Sequence, residues 1–509
     1  MNGVTLRALS GFKWQAIATG GSALVSLVTV MILARLLAPQ DFGQLAVAQA
    51  FIALADVFGR RGLGPAIVQR FELTRRHVAT GFTLALASGA LLAAAVWALA
   101  PWLVRLVGAP DAEPVVRALA PLVLLTGTGL VSDHRLRRQL RFRPLMAATV
   151  LSRLLGSGLV AVGLALMGFG VWALVAGALA QQACYCIAVI AFAPPTALGA
   201  GRREAVELVR TGAGFSALAV TRVATSQARR LLIAATLGAA SLGLFTRARA
   251  LSVATSRFAP LLNRVLMPAM ARRQRRIDRL RPVFLNGVEC LALAALPVSL
   301  LIAVSAPEIV RIVLGSQWDA AVPVLSILSL TAALQAINSI HAPLIRALGA
   351  VHREAWRRSL FLVLLLGAVW TGSRWGLPGV AAAIAAAQLV LHALLVHLAL
   401  GLLGIGAGTL LRRYVPALWT GSWATAALWF AASAVRAAEW PALAALAFEL
   451  AVWGVAAAAA AYLAPPFARP VFQHWGLAQL PFDAMGRPGH WARMALLHLA
   501  RRWPAPLAA

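Results

Sequence analysis

The chain has 509 residues, 61% of them apolar and only 12% charged, with a mean hydropathy of +0.81. That balance excludes a water-soluble domain and leaves an all-α, polytopic membrane protein. Net charge is +30, from 46 Lys and Arg against 16 Asp and Glu. The basic residues are spread over many short loops, so anionic membrane lipid is the expected surface partner and nucleic acid is not.

Apolar runs predict fourteen spans, near 14–35, 43–66, 78–102, 114–134, 145–167, 170–193, 210–235, 240–265, 284–305, 321–346, 357–374, 377–401, 414–434 and 441–464. Each is close to the roughly 20 residues that a helix needs to cross the hydrocarbon core. The first run, Trp14 to Ala34, is too long for a signal-peptide core and no small-residue cleavage pattern follows it, so it is expected to be the first span. Alternate loops and the two ends hold 32 basic residues; the opposite loops hold six, Arg35, Arg105, Arg117, Arg311, Arg374 and Arg436. This asymmetry predicts cytoplasmic termini. Cys184, Cys186 and Cys290 lie in apolar runs, and the Cys184-x-Cys186 pair has no acidic or histidine neighbour, which predicts core packing and no metal site.

The stretch from Thr211 to Arg264 has membrane composition and yet carries arginines. A turn at Gly238 cuts it into two helices, with Arg222, Arg229 and Arg230 on the first and Arg247, Arg249, Arg257 and Arg264 on the second. A charge at the bilayer centre costs about 2.5–3.5 kcal/mol on the mildest scale, so such residues face a bundle interior or a watery cavity. On a helical wheel, Arg222, Arg229 and Arg230 share an arc of about 100°, and Arg249, Arg257 and Arg264 one of about 80°. Two basic stripes in a membrane bundle point to an anionic passenger. Arg153, well inside the fifth span, joins the candidates. Arg210 and Arg264 sit near helix ends and can reach the interface instead. Arg230 and Arg247 are open to a second reading, as charges at the periplasmic helix ends.

An internal repeat runs through this stretch. ARLLAPQDFGQLAVA from Ala34 and AATLGAASLGLFTRA from Ala234 share Ala, Leu, Gly and Ala at an offset of 200 residues. GVWALVAGA from Gly170 is echoed by GVAAAIAAA from Gly379. Both echoes fit a six-helix period, and an even number of spans keeps both halves in one orientation. The expected organisation is an N-lobe of helices 1–6 (residues 1–208) and a C-lobe of helices 7–12 (209–402), related by a pseudo-two-fold along the membrane normal. Helices 13 and 14 (403–464) and a cytoplasmic tail (465–509) follow. The tail ends in GHWARMALLHLARRW, whose Trp491, Leu496, Leu499 and Trp503 are suited to lie on the inner leaflet.

Several stretches resemble a known family. ILARLLAPQDFGQLAVAQAFIALADVFGRRGLGPAIVQR (Ile32 to Arg70), GFGVWALVAGALAQQ from Gly168, LLIAATLGAASLGLFTRARAL, APLLNRVLMPAMARRQ and GSQWDAAVPVLSILSL occur in the order of its signatures. The resemblance is to O-antigen and exopolysaccharide flippases of the multidrug/oligosaccharidyl-lipid/polysaccharide exporter superfamily, over roughly residues 5–400. It implies translocation of an undecaprenyl-diphosphate-linked oligosaccharide across the bacterial inner membrane, with a cationic central cavity and a proton or sodium gradient as driving force. No cofactor is implied, and the partners are the lipid-linked glycan and the polysaccharide polymerase and export machinery. Arg153, Arg222, Arg229, Arg230, Arg249 and Arg257 are then the substrate-binding candidates, since guanidinium pairs with phosphate oxygens in a planar fork.

Acids inside spans are few. Asp56 lies four residues before Arg60, where a local ion pair competes with an ion-coupling role. Glu289 has no base nearby in sequence and is the better coupling candidate; Glu449 stands outside the repeat and reads as local. His392 and His397 read as core or interface residues. Other functions stay in view: a wall-precursor (lipid II) flippase, a membrane polymerase or ligase, or a drug exporter of the same superfamily. A polymerase usually needs a large external loop, whereas 103–113 and 306–320 are short; a cationic drug avoids an arginine-lined cavity. No nucleotide-binding or nucleophile motif occurs, so a transporter and not an enzyme is expected.

Overall fold

The computed structural model describes residues 3–59, 63–70, 72–195, 198–199, 201–256 and 259–463, with the side chains of 3–19, 212–222 and several positions between 254 and 268 outside the description. Arg60, Arg61, Arg257 and the tail 465–509 therefore lie outside the described residues, as do the side chains of Arg222 and Arg264. Every regular element among the described residues is helical, as a bilayer requires of a backbone that has no water to bond.

In chain order the α-helices begin with α1 (Gly3–Leu36), α2 (Pro39–Gly59), α3 (Leu63–Gln69), α4 (Arg75–Leu106), α5 (Glu113–Leu119) and α6 (Pro121–Arg138). Next come α7 (Phe142–Arg153), α8 (Ala161–Leu166), α9 (Val171–Phe192), α10 (Arg202–Ser252), α11 (Ala259–Ala271), α12 (Ile277–Val304) and α13 (Ala306–Val313). The chain continues with α14 (Val322–Asn338), α15 (His341–Ala347), α16 (Val351–Gly372), α17 (Gly376–Leu403), α18 (Ala407–Arg412), α19 (Val415–Ala437) and α20 (Ala442–Tyr462). Nine segments among the described residues are long and apolar enough to cross a membrane. Large apolar side chains stand outward, among them Leu91 at 72%, Trp102 at 63% and Phe430 at 68% exposure, a surface suited to lipid and not to water.

Chain contacts divide the protein into two compact units. The first comprises Met1–Ala250, Ile309–Val324 and Ser359–Ala387; the second comprises Leu251–Glu308, Leu325–Arg358 and Gln388–Ala509.

In the first unit, Leu63, Ile67, Val78, Ala85, Val131 and Leu208 form a core joining α3, α4, α6 and the start of α10. A π-helical turn at Leu154–Val160 links α7 to α8. There Gly156 lies so close to the Gln181 backbone that a Cβ would overlap it, the small-residue packing by which membrane helices approach. Two stretches singled out in sequence meet here. Trp318 is fully buried, donates its indole N–H to the Ala34 carbonyl at 2.8 Å, and stands edge-on to Phe42 at 5.4 Å. Gln317 donates to the same Ala34 carbonyl, and Arg35 donates to that of Ile312 at 3.0 Å.

The expected turn in α10 is present. Gly238 has φ 81° and ψ 172°, a conformation closed to residues with a Cβ, and it divides α10 into two straight halves. The repeat at offset 200 also acquires a physical meaning. A Cβ on Gly43 would run into the Ala239 carbonyl, and one on Gly243 into the Pro39 carbonyl. Positions 39 and 43 thus meet their own repeats, 239 and 243, reciprocally, and each glycine lets the opposing backbone pass.

The second unit packs around Phe284, Leu291, Ile337, Ile340, Leu344 and Leu403 from α12, α14, α15 and α17. α19 packs against α12, and α20 against α19. Of the cysteines, all free, Cys186 is buried and its thiol donates to the Leu125 carbonyl at 2.9 Å; Cys184 and Cys290 are half-buried.

Candidate functional site

Four arginines converge on α10, two from each side of Gly238. Arg229 is 7% exposed, although nothing in its sequence neighbourhood neutralises it. Its guanidinium carbon lies 5.8 Å from the centre of the Phe245 ring, across the bend. Arg247 stands over Phe42 of α2 at 4.7 Å. Arg230 donates to the side-chain carbonyl of Gln227 at 3.2 Å. Mutual repulsion ties Arg229 to Arg249 and Arg230, and Arg230 in turn to Arg247 and Arg249.

Among the described residues, no carboxylate pairs with Arg229, Arg230 or Arg247, and the buried Nε atoms of Arg229 and Arg247 have no hydrogen-bond partner. Buried cations are normally paired, because desolvation costs more than an aromatic face returns. Four guanidinium groups sharing one region of a membrane-length helix form a strongly cationic site. Forked donors suit phosphate oxygens.

The bend unites stripes that a helical wheel treats separately. Arg229, Arg230 and Arg249 lie within electrostatic reach of one another. Arg247, nine residues after Gly238, joins them through its repulsion with Arg230. Sequence reasoning also missed Phe42 and Phe245 as aromatic faces beneath the cations. Arg153 ends α7, immediately before the π-turn, and donates to the Ser22 carbonyl of α1 at 3.2 Å.

Glu289 does have a base, supplied from 124 positions further on. Arg413 donates to its carboxylate at 2.8 Å and to the side-chain oxygen of Asn286 at 3.2 Å. Asp56 is half-buried in α2 and has an interaction of its own. The nearby histidine, His392, is satisfied: one ring nitrogen meets the Asn338 side-chain oxygen at 2.7 Å and the other the Tyr414 hydroxyl at 3.3 Å. His397 is exposed.

A second polar group lies in the first unit. Glu207, before the apolar part of α10, pairs with Arg70, with His77 at 3.2 Å and with Arg203 at 3.2 Å. His77 and Arg70 hold its carboxyl at about 2, well below the usual carboxylate range. These residues line a hollow of about 510 Å³ together with Arg75 and Arg76.

A family model described as "Polysaccharide biosynthesis protein" matches residues 32–323. The succinoglycan biosynthesis transport protein ExoT of Rhizobium meliloti (strain 1021) is 27% identical over 371 residues, 71% of this chain and 73% of its own. The teichuronic acid biosynthesis protein TuaB of Bacillus subtilis (strain 168) is 24% identical over 73% of this chain and 79% of its own. Among solved structures, the lipid II flippase MurJ in an inward closed conformation superposes with a TM-score of 0.69, over 87% of this chain and 98% of that one. At 12% identity the likeness to MurJ is one of fold. ExoT is named for transport and MurJ for flipping of lipid II.

Proposed function

The chain belongs to the polysaccharide biosynthesis protein family, and on that premise we propose that it flips an undecaprenyl-diphosphate-linked oligosaccharide across the bacterial inner membrane. The observation that carries this reading is the cluster of buried Arg229 and half-buried Arg230, Arg247 and Arg249, with no carboxylate, among the described residues, paired with the first three. A lipid diphosphate supplies the missing charge, and its oxygens accept from the forked donors. Arg153, Arg222 and Arg257 are proposed as further binding residues from their place in the sequence. The names of ExoT and TuaB, both polysaccharide biosynthesis proteins, favour an exported glycan over the wall precursor as the sugar head.

The organisation we propose has fourteen membrane helices, two six-helix lobes (1–208 and 209–402), two further helices and a tail, with both ends cytoplasmic. The reciprocal crossing of Gly43 and Gly243 supports lobes related by a two-fold axis. Rocking of one lobe against the other exposes the arginines to each face in turn. A proton or sodium gradient resets the empty carrier through an intramembrane carboxylate, Glu289 or Asp56; cation binding at Glu289 competes with Arg413 and so breaks a packed ion pair. The polysaccharide polymerase and export machinery then take the product.

Cells that lack their own copy of this protein are the test. Wild type is expected to restore surface polysaccharide; the Arg229→Ala/Arg230→Ala double variant, present at the same membrane level, is expected to restore none. Full restoration by that variant would remove the diphosphate site from the mechanism.

A further inference from the structure

An acid that read as merely local in the sequence is buried without a hydrogen-bond partner among the described residues. Glu449 lies in α20, eight residues into the helix, and is 0% exposed. Among the described residues, neither of its carboxyl oxygens has a hydrogen-bond partner. Beside it is Ser305, the residue that ends α12, also fully buried and with its hydroxyl unpartnered. The charged groups facing Glu449 are Glu308 at the start of α13 and Arg436 at the end of α19.

Those two neighbours are already committed to each other. Arg436 grips Glu308 through both carboxylate oxygens, at 2.8 and 2.9 Å, and also donates to the Val304 carbonyl at 2.7 Å. Among the described residues the region thus holds one guanidinium against two carboxyl groups, and an ionised Glu449 leaves one negative charge uncompensated. A carboxylate in such surroundings sheds its charge, because its desolvation has no counter-ion to offset it. A proton does this without placing a second full cation beside Arg436. It also gives the unpartnered Ser305 oxygen an O–H donor.

We propose that Glu449 and Ser305 form a proton-binding site in the membrane domain, in which the Glu449 carboxyl group holds one proton at neutral pH and donates it in a hydrogen bond to the Ser305 hydroxyl oxygen. This holds whether or not the flipping function is right. It also names an intramembrane carboxyl that can gain or lose a proton without breaking an ion pair, in contrast to Glu289.

The test is infrared spectroscopy of the purified full-length protein at neutral pH. The wild-type minus Glu449→Gln difference spectrum is expected to contain one carboxylic-acid C=O band that shifts in heavy water. The neutral isostere is expected to leave the thermal midpoint unchanged. Ser305→Ala is expected to keep the band but move it to higher frequency, as the hydrogen bond is lost. Alkaline titration of the wild type is expected to bleach the band, which keeps the test open even if a variant is poorly made. Absence of the band, an unshifted band in Ser305→Ala, or a sodium-dependent rise in the wild-type midpoint that Glu449→Gln abolishes would each overturn the proton assignment.

Discussion

Arg229→Met separates a functional cation from a structural one. The side chain is 7% exposed, its Nε has no partner, and Arg230 and Arg249 repel it. Replacing a buried ion pair by apolar groups of similar size is neutral to stabilising, by up to about 4 kcal/mol, and Arg229 has no carboxylate partner among the described residues whose loss would oppose such a gain. The loss is the aromatic contact: at 5.8 Å from Phe245 the guanidinium is near the outer limit of a cation–π interaction, and about 0.5–1 kcal/mol covers it. The balance is a variant as stable as wild type or more so, by up to about 3 kcal/mol. Tryptophan-fluorescence melts of the purified protein measure this directly. Undecaprenyl diphosphate at a hundredfold excess over its Kd is expected to stabilise wild type by about 2.7 kcal/mol and Arg229→Met by far less. A variant that melts earlier than wild type, yet keeps the full ligand-dependent shift, would make Arg229 a structural residue and refute the reasoning.

Arg413→Ala strands the Glu289 carboxylate, 4% exposed as a residue, and is expected to cost about 3–5 kcal/mol in melts; adding Glu289→Gln is expected to recover most of it. Gly43→Val and Gly243→Val each force a side chain into an opposing carbonyl, and each is expected to lower the thermal midpoint by a similar amount because the contacts are reciprocal. The Glu207 carboxyl is held at about 2, below its ordinary 4.5, so its contribution to stability is present above pH 4.5 and is lost as pH falls through 2. Acid melts of wild type and Glu207→Gln are therefore expected to converge over that window, with the wild type more stable on its neutral side.

Local signals carried much of the fold. The Gly238 turn was legible because its neighbours are apolar and helical on both sides and glycine alone adopts that φ. The offset-200 repeat was legible in four shared residues, and Gly43 and Gly243 are among those four because each must admit a backbone. Arg229 and Arg230 were legible as one arc of one helix. Arg247 was not: its place beside them depends on the angle at Gly238 and on Phe42 of another helix, and no residue period encodes either. The base of Glu289 is 124 positions away, and local pairing rules cannot reach it. Glu449 was discounted for lying outside the repeat, a criterion that ignores whether a counter-ion packs against it. Trp318 gave no hint that its indole N–H would be anchored on the Ala34 carbonyl, 284 positions earlier in the chain.

The most direct test is flipping of a lipid-linked oligosaccharide by the purified protein in proteoliposomes, with a proton or sodium gradient imposed. Wild type is expected to flip the undecaprenyl-diphosphate-linked substrate and to bind it more tightly when the driving ion is present, since a cation can bias alternating states only through differential affinity. The Arg229→Met/Arg230→Ala variant is expected to flip none. Equal flipping by wild type and this variant, or flipping indifferent to both gradients, would contradict an arginine-held diphosphate carried by an ion-coupled exchanger.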